Sequence, residues 1–502
     1  QAGFVKIDFL ALGALSQMQD ALQLVEQRTG SHLDLSRIDH NDSKVYKMLH
    51  EADTIGIFQV ESAAQMQTIT RIRPGNLFEM AYEVAAVRPG VGANDGVTQF
   101  IRRYTRHEPW DYDHPLERRA LERTCGVILF QDQVNQLAMD VAGFSSMEAD
   151  RLRRAFTWRR DRSLLERHWD RFRDGALSQG VSEEAARRVF EKFNGQYMFP
   201  ESHAFAFGVT AYHMSWLKYY YPLEFYVAIF NQQPMGFYNL ETLKEDAKNH
   251  GIRVLNPDIN LSWEQCVIHD ESLLLGFLKV RDVGTVGASA LVQAREEGGP
   301  FTSLADAVQR TGLPREALER LVLAGAFDSL TTDRRAALWE IGLRYCPGGY
   351  QQPLNLPVQQ DMAQLPLQTE WEGMAEEHAT LSLYPQGHLM SFIRPSLDPR
   401  VLNSQEILNL AEGAEVTVAG LVIRRQRPHA RAVFITLEDE VGHIPLVVWP
   451  QEYEKFKHAL REPVLMMRGI VSRRDDTFNI VVKEVRPVPT LQRNLPKAKN
   501  WQ

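Results

Sequence analysis

Hydrophobic and polar positions follow two regimes along the chain. Between residue 40 and about 235 the apolar positions recur at three- and four-residue spacing, which predicts helices in SKVYKMLHEA (43–52), QVNQLAMDVAGF (133–144), SMEADRLRRAF (146–156), SEEAARRVFEKF (182–193) and VTAYHMSWLKYYYPLEFYVAIFN (209–231). Shorter helical patterns follow in ETLKEDAKNHG (241–251), VGASALVQAREE (286–297) and REALERLVLAGAF (315–327). Upstream, FVKIDFLAL (4–12) reads as a short buried strand carrying Lys6 and Asp8, and LSQMQDALQLVEQRT (15–29) as a helix ending at Gly30. From about residue 401 the pattern becomes strand-like. EVTVAGLVIRRQ, AVFITLEDEVG, HIPLVVWP, PVLMMRGIVSRRD and TFNIVVKEV give five strands, with a helical QEYEKFKHALRE inserted before the fourth, the layout of a small β-barrel. Residues 346–375 are rich in Pro and Gln with little periodicity, the composition of an exposed linker, so a boundary falls there.

The length, 502 residues, allows about three or four domains. With 44% apolar and 24% charged residues, the chain has the composition of folded globular material. No apolar run reaches the roughly 20 residues that cross a bilayer, so a cytoplasmic location with no membrane partner is expected. Cys125, Cys266 and Cys346 are far apart, odd in number and in no metal-like spacing, so neither a disulfide framework nor a zinc site is suggested. The chain opens on Gln1 and enters an apolar run at once, as a piece of something longer would.

The net charge of −8 argues against a uniformly basic nucleic-acid binder, yet the charge is uneven. Nine arginines lie between Arg151 and Arg173 against three acids, and LVIRRQRPHARA brings Arg424, Arg425, Arg427 and Arg431 together without one. The segment LKVRDVGTVGASAL has the form of a helix-hairpin-helix, with Gly284 and Gly287 as the permissive positions and Ala290 as the small residue between helices. Such a hairpin binds DNA phosphate through backbone amides, although Asp282 puts a negative charge nearby, and a Gly turn between helices is also plain structure. The barrel resembles an oligonucleotide-binding (OB) fold, for which Arg424, Arg425, Phe434 and Trp449 are candidate contacts; for Phe434 a core position is favoured. Asp8, a carboxylate among Val5, Ile7, Phe9 and Leu10, is costly to bury unpaired and should face a cleft, a cation or a metal. Asp111 and Asp113 mimic an Asp-x-Asp pair but fall in a polar, Pro-flanked loop and read as surface residues.

The collinear order FVKIDFL, GIFQVES (56–62), VRPG (87–90), GVILFQDQV (126–134), ADRLRRAF (149–156), FPESHAFAF (199–207), WLKYYYPLEF (216–225), NPDIN (256–260), GGPF (298–301) and LAGAFDSL (323–330) resembles the C-family bacterial DNA polymerases, the polymerase III alpha subunit group. The resemblance covers nearly the whole chain. RQRPHARAVFITLEDE, VVWP, and FPESHA with Glu201 where replicative members carry lysine are similar to the error-prone, damage-associated branch.

The resemblance implies a multidomain α+β protein: the end of the palm over 1–16, fingers over 17–235, a helix-hairpin-helix region over 236–345, a linker over 346–400, and an OB-fold barrel with a basic tail over 401–502. It implies DNA-directed DNA polymerase activity by two-metal Mg²⁺ chemistry on three palm aspartates, with Asp8 as catalytic residue and metal ligand. The other two, and a PHP domain, would belong upstream, so this chain alone is expected to be inactive. Arg151, Arg153 and Arg154 match the fingers element near the incoming triphosphate, where guanidinium groups grip phosphate oxygens; Lys6 shares the face of Asp8 by period two and meets either primer or triphosphate charge or only solvent at the strand end. Ser202 and His203 either donate to phosphate or sugar or form a capping and core-satisfying pair; Arg88 holds the cleft or a neighbouring acid. Expected partners are primer-template DNA, deoxynucleoside triphosphates, damage-tolerance accessory proteins, and a sliding clamp through QQDMAQLPL (359–367), where Ala363 and Gln368 depart from the family form. The rival class is a non-catalytic DNA-binding or clamp-associated module, such as one half of a split polymerase. A nuclease built on Asp8 and the hairpin finds no further metal-ligand cluster in the sequence.

Overall fold

The computed structural model describes residues 12–87, 95–157, 162–193, 198–236, 238–345, 361–427, 432–473, 478–488 and 499–501. The expected strand with Lys6 and Asp8, together with Arg88, lies outside them. The chain divides into two compact units, one of residues 34–219 and one of residues 1–33 with 220–502.

The 34–219 unit is helical. Its first helices are short and capped by side chains: Asp42 accepts from Lys44 N before Ser43–His50, and Ser62 and Gln65 form a capping box before Ala63–Ile72. One core joins Val134, Leu137, Val141, Leu152, Phe172, Val189 and Phe190 from the Gln131–Ala142, Ser146–Thr157, Arg162–Ser178 and Glu183–Lys192 helices with Leu121 of the Arg118–Leu121 helix and Phe193, which caps the last. These helices approach closely because residue 175 is glycine: a Cβ there would lie 2.0 Å from Ala142 O. A second core joins Phe100, Leu129, Phe130, Phe199 and Ala204. Asp113, read as a surface residue, is instead paired: its carboxylate accepts from Arg188 Nε at 2.6 Å and Lys192 Nζ at 2.7 Å, and Lys192 also meets buried Glu117.

In the other unit the Leu12–Thr29 helix packs on Pro222–Asn231, and Arg28 pairs with buried Glu224. A small sheet in the order β1 (Val254–Leu255), β3 (Ser272–Leu274), β2 (Val267–His269) precedes the hairpin region, where Gly284–Gly298, Leu304–Thr311, Arg315–Leu323 and Arg334–Arg344 are helices. The span read as a linker over 346–400 holds two further helices, Glu370–Leu381 and Leu389–Ile393. Thr369 and Glu372 cap the first, and Met374, Leu389, Met390 and Ile393 pack on barrel residues Ala419, Leu421 and Val464. Helical order there comes from that docking surface, which the polar composition conceals.

The barrel is formed by β5 (Glu415–Gln426), β6 (Val433–Glu438), β7 (His443–Val448), β8 (Val464–Ser472) and β9 (Asn479–Pro487), with the Pro450–Phe456 helix before β8. Pairing in the order β5-β6-β7-β9-β8 closes on itself through β5–β8; β4 (Val401–Leu402) and β10 (Lys499–Trp501) add to β5. Closure removes free edges and buries Val418, Val433, Ile435, Leu437, Ile444, Leu446, Leu465 and Met467 inside.

In the 34–219 unit His213 Nε2 faces His40 Nε2 at 3.1 Å, and burial, then the neighbouring His40, lowers the His213 pKa to about 4. An unfolded histidine titrates near 6.5, so between about pH 6.5 and 4 the unfolded chain binds the extra proton and acid weakens this unit. His213→Gln should remove about 1–2 kcal/mol of that loss, allowing for screening of a half-buried group, read as a flatter dependence of the denaturation midpoint on pH.

Candidate nucleic-acid interface

A single buried amide organises one surface of the 34–219 unit. Gln133 Oε1 accepts from Leu129 N at 2.8 Å and Phe130 N at 2.9 Å, while Nε2 donates to Ala120 O and Thr124 Oγ1, each at 2.8 Å. All four hydrogen-bonding capacities of the amide are used. Residues 129–130 are thereby held extended, and Phe130 forms a parallel bridge to Phe199 with Gln131 N donating to Phe199 O at 3.0 Å. The Glu201–Tyr220 helix starts just beyond, where Asp132 Oδ2 accepts from Glu201 N at 2.7 Å. Arg123 grips the Glu201 carboxylate with two nitrogens.

Arg153 reaches the same strip. Its Nη1 donates to Gln131 Oε1 at 2.8 Å and its Nη2 to Asp150 Oδ1 at 2.6 Å; Arg154 Nε meets Asp150 Oδ2 at 2.8 Å. The Arg153 hydrogen bond and the charges of both arginines hold the Asp150 carboxyl below its usual range. Arg154 is exposed, and Arg151, also exposed, touches Met147 Sδ. The structure thus brings Arg153, through Gln131 and its neighbour Asp132, to the helix whose first turn carries Ser202 and His203, with Arg154 joined to Arg153 by the shared Asp150. Ser202 is exposed, and the His203 ring lies between Phe199 and Phe207, at centroid distances of 5.6 and 4.0 Å. The sequence reading assigned no separate role to Arg123, Gln131 or Asp132; the signal of the last two lay in the quoted run GVILFQDQV.

In the other unit the Phe277–Lys279 turn and the Gly284–Gly298 helix flank the hairpin. Gly284 and Asp282 have φ of 63° and 66°, the left-handed region that turns the chain. Close helix approach rests on Gly287 and Ala288 rather than on Ala290, which is only half-buried: a Cβ at Gly287 would lie 3.1 Å from Val283 and 3.3 Å from Leu313. The Asp282 charge is met by Arg320 Nε at 3.0 Å.

On the barrel, Phe434 is not in the core. Alternation along β6 sends Val433 and Ile435 inward and leaves Phe434 44% exposed; Trp449, at the end of β7, is 48% exposed. Arg424 pairs in register with Thr436 and Gln426 with Phe434, so Arg424 shares the outer face of Phe434. Arg425 sits opposite inward Ile435, donates to Glu462 O at 2.8 Å, and burial pushes its pKa down. Arg427 covers the Tyr453 ring at 4.3 Å. In the peptide read as a clamp motif, residues 361–367 are described: Trp339 Nε1 donates to Asp361 O and Arg335 to Pro366 O, while Leu367 is 76% exposed.

Residues 14–180 match the bacterial DNA polymerase III alpha subunit finger domain, 251–337 a helix-hairpin-helix motif, and 416–488 an OB-fold nucleic acid binding domain. This succession of modules is that of a multidomain protein. The chain is similar to the C family of bacterial DNA polymerases, the polymerase III alpha group, whose finger domain matches about a third of it. Its relatives include the error-prone DNA polymerase of Mycolicibacterium paratuberculosis, 37% identical over 495 residues, covering 96% of this chain and 45% of the relative. The error-prone DNA polymerases of Nocardia farcinica (36% identical, 96% of this chain and 44% of the relative) and Anaeromyxobacter sp. (38%, with 96% and 45%) are similar in the same way. The chain spans about half the length of the curated relatives it matches. No helix among the described residues is long and apolar enough to cross a membrane.

Gln133→Leu leaves the Leu129 and Phe130 N–H groups and the Ala120 carbonyl without their partner. It should destabilise the 34–219 unit by roughly 2–4 kcal/mol, measured by urea denaturation.

Proposed function

We propose that this chain supplies the fingers, helix-hairpin-helix and OB-fold parts of an error-prone DNA-directed DNA polymerase that adds deoxynucleotides to a primer 3′-hydroxyl. The observation that carries the reading is the strip in which Arg153 and Arg154 meet Asp150 and Gln131 beside the first turn of the Glu201–Tyr220 helix. Fixed guanidinium groups on a helix suit a triphosphate, because they stay charged and bind oxygens in pairs. Arg154, the more exposed of the two, is the first to meet a phosphate; Arg153, oriented by Gln131 and Asp150, keeps the pair in position. Arg151, Ser202, His203, Lys6 and Arg88 complete the proposed nucleotide site.

In the transfer the 3′-oxygen attacks the α-phosphorus and pyrophosphate leaves. Mg²⁺ ions would be held by Asp8 and by two carboxylates from polypeptide outside these 502 residues, and would stabilise charge on the attacking and leaving oxygens. The hairpin around Gly284 and Gly287 is proposed to hold duplex phosphates, and the outer barrel face with Arg424, Phe434 and Trp449 to stack the single-stranded template. Residues 359–367 are proposed as a sliding-clamp peptide, with Leu365 and Leu367 as its exposed anchors.

The test is primer extension with Mg²⁺ by this chain alone and by the chain joined to an N-terminal C-family palm fragment. Extension is expected only from the joined form; Asp8→Asn should abolish it, and Arg153→Ala with Arg154→Ala should raise the nucleotide KM by about tenfold or more. No extension by the joined form, with DNA binding intact, would favour the non-catalytic module.

The barrel reading has its own check. Phe434→Ala with Trp449→Ala should weaken binding of a thymidine oligonucleotide by roughly 1–3 kcal/mol per lost stacking platform, measured by fluorescence anisotropy. Both rings are about half exposed, so the melting temperature should stay unchanged.

A further inference from the structure

A cavity of about 480 Å³ lies in the unit that carries the hairpin region and the barrel. Its walls are the last turns of the Leu240–Asn249 helix, the stretch 251–255 that enters β1, and the Pro385–Gly387 turn. Three cations line it, Lys244, Lys248 and Arg253. They are not equivalent.

Lys244 is a structural cation. It is buried, its Nζ donates to Glu241 Oε1 at 2.9 Å, and it contacts Glu245 and the Gly387 carbonyl. Glu241 Oε2 in turn accepts from Tyr384 N at 2.9 Å. This network fastens the 384–387 turn to the helix and fixes the cavity wall, and it occupies both carboxylates. Lys248 is 59% exposed, with Glu245 3.5 Å away, and it stands where the helix presents its negative carbonyl end. Arg253 is exposed, and among the described residues its guanidinium makes no ion pair or hydrogen bond.

We propose that this cavity is a further contact for nucleic-acid backbone phosphate, with Arg253 as its main donor and Lys248 as its second. The ligand chemistry follows from the lining: a preformed concave wall, a planar five-donor cation without a partner, and a second cation only partly offset by an acid. DNA is favoured over a free anion by position, since residues 251–255 open the matched helix-hairpin-helix segment and the 385–387 turn belongs to the stretch docked on the barrel. A strand passing between hairpin and barrel would have a phosphate grip here. The inference rests on the proposed DNA-binding function.

The experiment uses the full chain, with a fluorescent thymidine oligonucleotide and a duplex, and follows affinity against KCl concentration. Arg253→Gln with Lys248→Gln should lower the slope of log K on log salt by about 1–2 and weaken binding by about tenfold at low salt; Arg253→Gln alone should give the larger part. Thermal melting of the variants should match the parent, because both side chains are exposed. A variant that binds with the parent's slope and affinity overturns the inference. So does a loss confined to inorganic phosphate or triphosphate binding, which would make the cavity a free-anion site. If the parent itself binds neither DNA, the proposed function fails and this inference with it.

Discussion

Everything on the arginine-bearing surface depends on one buried side-chain amide. Gln133 makes four hydrogen bonds within 2.9 Å and holds residues 129–130 extended against the 120–124 segment. The bridge to Phe199 then sets where the Glu201–Tyr220 helix begins, and Asp132, one residue before Gln133, caps it. A buried amide with all its partners is a strong constraint, since any shift leaves several polar groups dry and unpaired. Gln131, two residues before Gln133 on the same helix, is consequently in place to accept from Arg153. Helix register converts a packing constraint into a fixed position for a charge.

The second unit uses the same logic at the barrel. Glu438 ends β6 buried, and burial alone would raise its pKa; His443, 2.9 Å from one carboxylate oxygen, and His388, 3.4 Å from the other, outweigh that and hold the carboxyl low. Asp439 accepts from Ser404 N at 2.6 Å and Ser404 Oγ at 2.7 Å, and Arg394 pairs with Glu440. Three consecutive acids therefore bind the barrel to the segment before it, at the end of β6 opposite the half-exposed Phe434. The net charge of −8 is compatible with a DNA-directed protein for this reason: many acids are occupied internally, whereas exposed arginines are gathered on particular faces.

Much of the architecture was legible in the sequence. Helical periodicity located the Gln131–Ala142, Ser146–Thr157 and Glu183–Lys192 helices, and period-two runs with one inserted helix gave the five barrel strands. Local patterns carry such information because burial of one face imposes a repeat. The arginine run was equally visible as a run. That Arg153 and Arg154 converge on Asp150, and that Arg153 reaches Gln131 across 22 residues, was not, because periodicity describes a helix and not its neighbour.

The sequence by itself determined the order of modules, the helical and barrel regimes, and the supply of cations. Only the tertiary structure decided which of those residues face outward. Phe434 and Arg425 show the reason: both lie in mixed strand sequences where either face can be read as core. The register of β5 against β6 turns Phe434 to solvent and sets Arg425 opposite Ile435, in contact with the Glu462 carbonyl. Strand register is fixed by barrel closure, a non-local condition satisfied when β5 pairs with β8, and no window of neighbouring residues contains it.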